Sequence, residues 1–181
     1  MPQVDLVTQG SATGDAKSLL EQINKAFGAT PNMFRAVANS PAALKSMWGA
    51  FGALGAGTLG AKLGEQIAVA VADRNNCSYC LAAHTVLGKK AGATTEEMAD
   101  AQTGSSANPQ TAAALSFALK LVEARGQVTN ADIAALRAAG FDDGQIVEII
   151  AHVALNLFTN YVNIALDVPV DFPGVKFRQA A

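Results

Sequence analysis

Helix boundaries are the densest signal along this chain, and they leave room for little else. Ser40-Pro41 and Asn108-Pro109 each set an N-capping side chain before a proline at the first helical position, and Thr30-Pro31 repeats the pattern. Thr94 with Glu97 reads as a capping box, in which two side chains satisfy two otherwise orphaned N–H groups. Gly92 and Gly140 fall where helices should stop, in the left-handed conformation that glycine enters cheaply. Between these marks the sequence predicts helices over about 14–27, 31–38, 41–56, 60–74, 77–91, 95–103, 109–125 and 130–139, then a long one over about 143–166. No run shows the alternation and β-branched enrichment of a strand. The tail VPVDFPGVKFRQAA carries two prolines and a glycine and is expected to be irregular. The fold class is therefore all-α, a multi-helix bundle.

Abundant alanine suits thin helices that pack closely. The 181 residues read as one domain, with about 1–57 as an N-terminal helical arm. Net charge is −2 with no block of like charge, so nothing asks for nucleic acid or an anionic membrane. The N-terminus MPQVDLVTQG lacks the charge and the apolar run of a signal peptide. The stretch from Ser46 to Ala61 is uncharged but too short and glycine-rich to span a bilayer. The stretch from Ile149 to Leu166 has no formal charge but contains His152, Asn156, Asn160 and Asn163. Both read as buried helices of a cytoplasmic protein. Half of the residues are apolar and only 15% are charged, more apolar surface than one small domain hides, which predicts a homo-oligomer.

Two weaker patterns take ordinary readings. Gly49, Gly52, Gly55, Gly57 and Gly60 predict close helix approach or a loose helix end; no strand precedes them and no Gly-Lys-Ser/Thr follows, so they are no phosphate loop. The segments from Ala91 to Thr95 and from Ala139 to Asp143 share a stop-then-start pattern and read as punctuation rather than as a repeat.

The chemistry concentrates in one stretch. The only two cysteines, Cys77 and Cys80, are three residues apart, and such a pair in a reducing compartment reads as redox-active or metal-binding. Asn75 or Asn76 can cap a new helix and put both cysteines in its first turn. Cys77, Cys80 and His84 then sit at about 0°, −60° and −20° on the helical wheel, one narrow face. A helix start favours the thiolate, and residues three apart in a helix are close enough for a disulfide. Glu65 opens the preceding helix, whose Ile67 to Ala72 run is apolar on every side and so reads as buried. Burial there would raise the carboxyl pKa toward neutrality, and an antiparallel turn at Asp73 to Asn76 would set Glu65 level with His84. Two other readings stand beside this one. The cysteines can be buried small hydrophobes, or Cys77, Cys80 and His84 can hold zinc with His152 or Glu65 as fourth ligand.

Glu, eleven residues, Cys, two residues, Cys, three residues, His resembles the active-site signature of the alkylhydroperoxidase D family, within the carboxymuconolactone decarboxylase-like superfamily. Glu65, Cys77, Cys80 and His84 match it position by position. Chain length and the polar-striped last helix resemble the peroxidase-related branch. The resemblance implies an all-α trimer or hexamer that reduces hydroperoxides without cofactor or metal. It assigns Cys80 as peroxidatic thiol, Cys77 as resolving thiol, and Glu65 with His84 as the proton relay. It also implies a dithiol or a lipoyl-bearing protein as reductant. The best-known members carry a second histidine just before the second cysteine. Here that residue is Tyr79, which cannot shuttle protons near neutral pH in the same way and is a candidate binding residue.

On the last helix, Glu148, His152, Asn156, Thr159, Asn160, Asn163 and Asp167 fall within an arc of about 100°. Asparagine without Lys or Arg suits a buried, hydrogen-bonded face, and His152 and Asn156 are candidate site residues on it. Two further functions compete with peroxide reduction. A lyase of the carboxymuconolactone decarboxylase type needs no cysteine pair and wants an arginine cluster that this chain lacks. A redox sensor would oxidise the same pair without turnover.

Overall fold

The computed structural model describes residues 2–178, and the nine helices among them follow the punctuation closely. They are α1 (Gly14–Phe27), α2 (Asn32–Val37), α3 (Pro41–Gly55), α4 (Ala61–Arg74), α5 (Ser78–Lys90), α6 (Thr95–Gln102), α7 (Pro109–Glu123), α8 (Asn130–Ala138) and α9 (Asp143–Ala165), with no strand among the described residues. The caps explain the agreement. Ser40 accepts the Ala43 N–H, and Asn108 accepts from Gln110 and Thr111. Capping boxes start α6 (Thr94/Glu97), α8 (Thr129/Asp132) and α9 (Asp142/Gln145). The expected cap at Thr30 is the exception. Its hydroxyl donates to Asn24 instead, α2 begins one residue later, and the Asn32 N–H donates to the Asp171 carboxylate at 2.7 Å.

Helix α4 runs through the middle of the bundle, packed by α5, α6, α7 and α9. The run from Gln66 to Asp73 is buried on every side, as its apolar sequence predicts. Around it pack Leu20, Ile23, Leu44, Met47, Leu81, Met98, Leu115, Leu136 and Ile149, all essentially inaccessible. Helices α1, α2 and α3 pack on one another, and α3 also meets α9. The tail is irregular but tethered: Val168 is buried, Phe172 stacks edge-on against Tyr79, and the Arg178 N–H donates to Asp73.

The glycine run departs from one expectation. Gly49, Gly52 and Gly55 have nothing within 4 Å of where a side chain would begin, so they mark open space and the end of α3, not close helix approach. Within the run, close approach is found at Gly57, against the Glu148 carboxylate, as expected; beyond it, Gly64 lies against the His152 ring. The two stop-and-start segments are alike only as punctuation. Gly92 and Gly140 each take a positive φ, and a capping box follows. No helix among the described residues is long and apolar enough to cross a membrane. Along the outer side of α9, Val147, Ile150, Phe158, Tyr161 and Ile164 are exposed.

Candidate active site

Helices α4 and α5 form an antiparallel corner that sets the four signature residues. The Cys77 N–H donates back to the Ala72 carbonyl, so the last turn of α4 extends through residue 77, and Asn76 turns the chain with φ 55°. For that reason neither Asn75 nor Asn76 caps α5. Cys77 itself is the N-cap, its Sγ accepting the Cys80 N–H at 3.3 Å, and only Cys80 lies within the first turn. Both cysteines are free thiols and almost inaccessible. They differ in what they face. Cys80 lines a cavity of about 300 Å³, together with Glu65 and His84; Cys77 is not part of its wall.

Level with each other across the corner, His84 Nδ1 and Glu65 Oε2 are 2.7 Å apart. Burial works to lower the His84 pKa, but the Glu65 carboxylate and its hydrogen bond outweigh that and raise it. With Nδ1–H donating to Glu65, the ring is held in one orientation and its positive form is favoured. At Cys80, burial works to raise the thiol pKa. The Cys77 thiol, the His84 charge and the amides of Asn163 and Asn160 together outweigh it and bring the thiol down to about 7. Cys77 moves the opposite way, held well above the usual thiol range by its hydrogen bond with Cys80 and by burial.

Asn163 and Asn160 are the site residues that the sequence did not single out. Asn163 Nδ2 donates to Cys80 Sγ at 3.2 Å. Asn160 is completely buried; its Oδ1 accepts from Asn75 at 2.9 Å, and its Nδ2 has no hydrogen-bond partner. It makes no hydrogen bond to the sulfur, but its dipole adds to the field that favours the thiolate. The asparagine stripe was the only signal for them, and it could not say which turn of α9 comes level with Cys80.

The other candidates separate by place. Asn156 Nδ2 bonds the His152 carbonyl of its own helix at 2.9 Å. Asn156 and His152 line a second cavity, of about 100 Å³, which also reaches Glu65, His84 and Gly64. A side chain at residue 64 would come within 2.9 Å of His152 Cε1, so the glycine lets the imidazole lie against α4. Burial and the His84 charge lower the His152 pKa, against the pull of Glu148 and Glu65. Glu148 is occupied elsewhere, accepting from the Thr58 and Leu59 N–H groups and the Thr58 hydroxyl. Tyr79 belongs to the wall of the first cavity. Its hydroxyl accepts the Met33 N–H at 3.2 Å, and burial pushes the phenol pKa up, so it stays protonated. Among the described residues, no group of three or more His, Cys, Asp or Glu is arranged to hold a metal ion.

The fold and this cysteine–histidine–glutamate corner define an alkylhydroperoxidase D-like all-α protein. Residues 41–124 match the carboxymuconolactone decarboxylase family, a stretch that contains Glu65, Cys77, Cys80 and His84. Over that segment the chain is similar to the carboxymuconolactone decarboxylase family, and its whole fold is similar to the alkylhydroperoxidase D-like proteins of known structure. An uncharacterized peroxidase-related protein from Silicibacter sp. TM1040 is similar with a TM-score of 0.82 and 25% identity, over 93% of this chain and 91% of that one. An uncharacterized peroxidase-related protein with an alkylhydroperoxidase AhpD core, from Ralstonia eutropha JMP134, gives 0.85 and 24% over 94% and 92%. The debrominase Bmp8, solved with 2,3,4-tribromopyrrole, shares the fold at 0.78 and 19% over 94% of each chain. No curated protein sequence matches this chain.

Proposed function

We propose that the protein reduces hydroperoxides with Cys80 as the attacking thiolate and Cys77 as the resolving thiol. One observation carries the reading: of the two sulfurs, Cys80 alone faces the cavity, and at about pH 7 it is half ionised. Cys80 gives its proton to His84, whose protonated form Glu65 favours. The thiolate attacks the terminal peroxide oxygen; an S–O bond forms, the O–O bond breaks and the sulfur becomes a sulfenic acid. The departing alkoxide takes the proton from His84 and leaves as the alcohol. The Cys77 thiol then attacks the oxidised sulfur, forming the Cys77–Cys80 disulfide and releasing water. An external dithiol, or a lipoyl group on a protein, supplies the two electrons and two protons that restore both thiols. His152, which lines the second cavity with Glu65 and His84, would exchange protons between that pair and the outside.

Two features favour this over the alternatives. No Lys or Arg among the described residues lines the cavity, so nothing there would clamp the carboxylates of a lactone acid. A sensor would need no thiol open to a cavity of ligand size. The test is steady-state turnover of cumene hydroperoxide with dihydrolipoamide as reductant. Sustained turnover that Cys80→Ser abolishes supports the reading. Oxidation of one equivalent without turnover, across a panel of dithiols, would assign the pair to sensing instead.

A further inference from the structure

The chain is poor in aromatic residues, at 6%, yet it gathers most of them in one place. It has eight Phe, two Tyr and one Trp; six of these eleven, Phe27, Phe34, Trp48, Phe51, Tyr79 and Phe172, line the cavity above Cys80. They come from five separate parts of the chain: α1, α2, α3, α5 and the tail after α9. Phe34 touches Phe27, Trp48 and Phe51 at centroid distances of 5.8–5.9 Å, edge-on to Trp48 at 88°. Tyr79 and Phe172 form a second edge-on pair at 5.7 Å and 85°. Rings set at such angles offer edges and faces to a further ring, which aliphatic walls do not. Phe27, Trp48, Phe51 and Phe172 are only half-buried, so this wall is not simply the protein's interior.

The polar groups of the cavity are confined to the reactive corner, Glu65, Cys80 and His84, with the Tyr79 hydroxyl already bonded to Met33. With no lysine or arginine in the lining, and with the His84 charge already matched by Glu65 at 2.7 Å, an anionic ligand finds no free partner. Gly52 on α3 also lines the cavity, with open space where a side chain would begin. At about 300 Å³ the cavity lies at the small end for ligand sites. It suits one ring with short substituents better than a long acyl chain.

We infer that this cavity is a binding site for a neutral, single-ring aromatic body, and that the substrate of Cys80 is a hydroperoxide carrying such a ring. The second half rests on the reading of Cys80 as the peroxide-reducing thiolate; the first half does not. In the reaction the aralkyl hydroperoxide gives its terminal oxygen to the sulfur, the O–O bond breaking, and leaves as the aralkyl alcohol, which keeps the ring and therefore competes for the site. Three of the six rings, Phe27, Phe34 and Phe172, lie outside the segment 41–124 that matches the family. On this inference the matched segment carries the reactive residues, and elements outside it add to ring selectivity.

The single tryptophan, Trp48, makes binding directly measurable. Titration with 2-phenyl-2-propanol should change its emission saturably, and tert-butanol should not. In single turnovers of the reduced protein, cumene hydroperoxide should react faster than tert-butyl hydroperoxide, which replaces the ring by a methyl, by roughly 10²-fold, the effect expected for burying one ring. Gly52→Leu, which adds a good helix former and fills the open space, should weaken the alcohol and shrink that ratio toward one. Phe172→Ala, on the irregular tail, should do the same. No saturable emission change, together with equal rates for the two peroxides, would overturn the inference while leaving the peroxidase reading intact. Saturable binding that Gly52→Leu weakens, with no peroxide reduced by any dithiol, would keep the aromatic site and overturn the peroxidase reading.

Discussion

Asn163 Nδ2 donates to Cys80 Sγ at 3.2 Å, across 83 residues of sequence. A neutral amide donor held there favours the thiolate without contributing a charge of its own. The rate of Cys80 alkylation by iodoacetamide should therefore follow a single ionisation with its midpoint near pH 7. The rate rises with pH, because the thiolate is the nucleophile. Asn163→Asp keeps the shape but sets a carboxylate beside the sulfur, and like charge opposes ionisation. The midpoint should move up by roughly one unit or more. An unchanged midpoint would mean that the amide does not act on the thiol.

The Glu65–His84 contact of 2.7 Å is expected to bear on catalysis rather than on folding. Glu65→Gln keeps the shape and removes the charge, and should slow peroxide turnover by roughly 10²-fold with the melting temperature nearly unchanged. His84→Asn should act similarly, and the double variant should lose little more, since groups working as one unit are not additive. Raising the pH toward ~9 ionises Cys80 without help and should partly rescue both. Full activity of Glu65→Gln at neutral pH, or a large drop in melting temperature with no rescue, would assign Glu65 to packing.

The proposed reaction would give Cys77 a second job beside its capping of α5. As resolving thiol it should form a reversible disulfide with Cys80; peptide mapping after mild peroxide treatment should find two hydrogens lost from that peptide. Cys77→Ser should keep the first turnover, trap Cys80 as a sulfenic acid and stop there. As N-cap of α5 it accepts the Cys80 N–H, and serine caps better than sulfur. Thermal denaturation should find Cys77→Ser more stable than Cys77→Ala by about 1 kcal/mol. Stoichiometric zinc retained through purification would contradict the redox role.

The exposed row on α9 predicts self-association. Val147 and Ile150, then Phe158, Tyr161 and Ile164, recur three residues apart, with the exposed Ala154 one turn from each group, and Tyr161 is 61% exposed. Light scattering at micromolar concentration should give a trimer or hexamer mass, and Ile150→Lys with Tyr161→Lys should reduce it to the monomer. A monomer mass for the unaltered chain would reject this.

The sequence by itself determined the helix boundaries and the identity of the signature residues, because both are local. A cap acts within three or four residues, and a wheel face repeats every turn, so Cys77, Cys80 and His84 share a face as soon as α5 forms. Glu65 was legible too, since the short turn at Asp73 to Asn76 leaves α4 little choice of register. Even here the fine point was tertiary: α4 closes through the Cys77 N–H, which makes Cys77 the cap. Only the folded structure decided that Asn163 and Asn160, not Asn156, come level with Cys80, that Asp171 meets the Asn32 N–H 139 residues away, and that six scattered rings meet above one sulfur. Those outcomes depend on how one helix slides and turns against another. Side-chain shape sets that register across the interface, and it leaves no periodic trace along either strand of sequence.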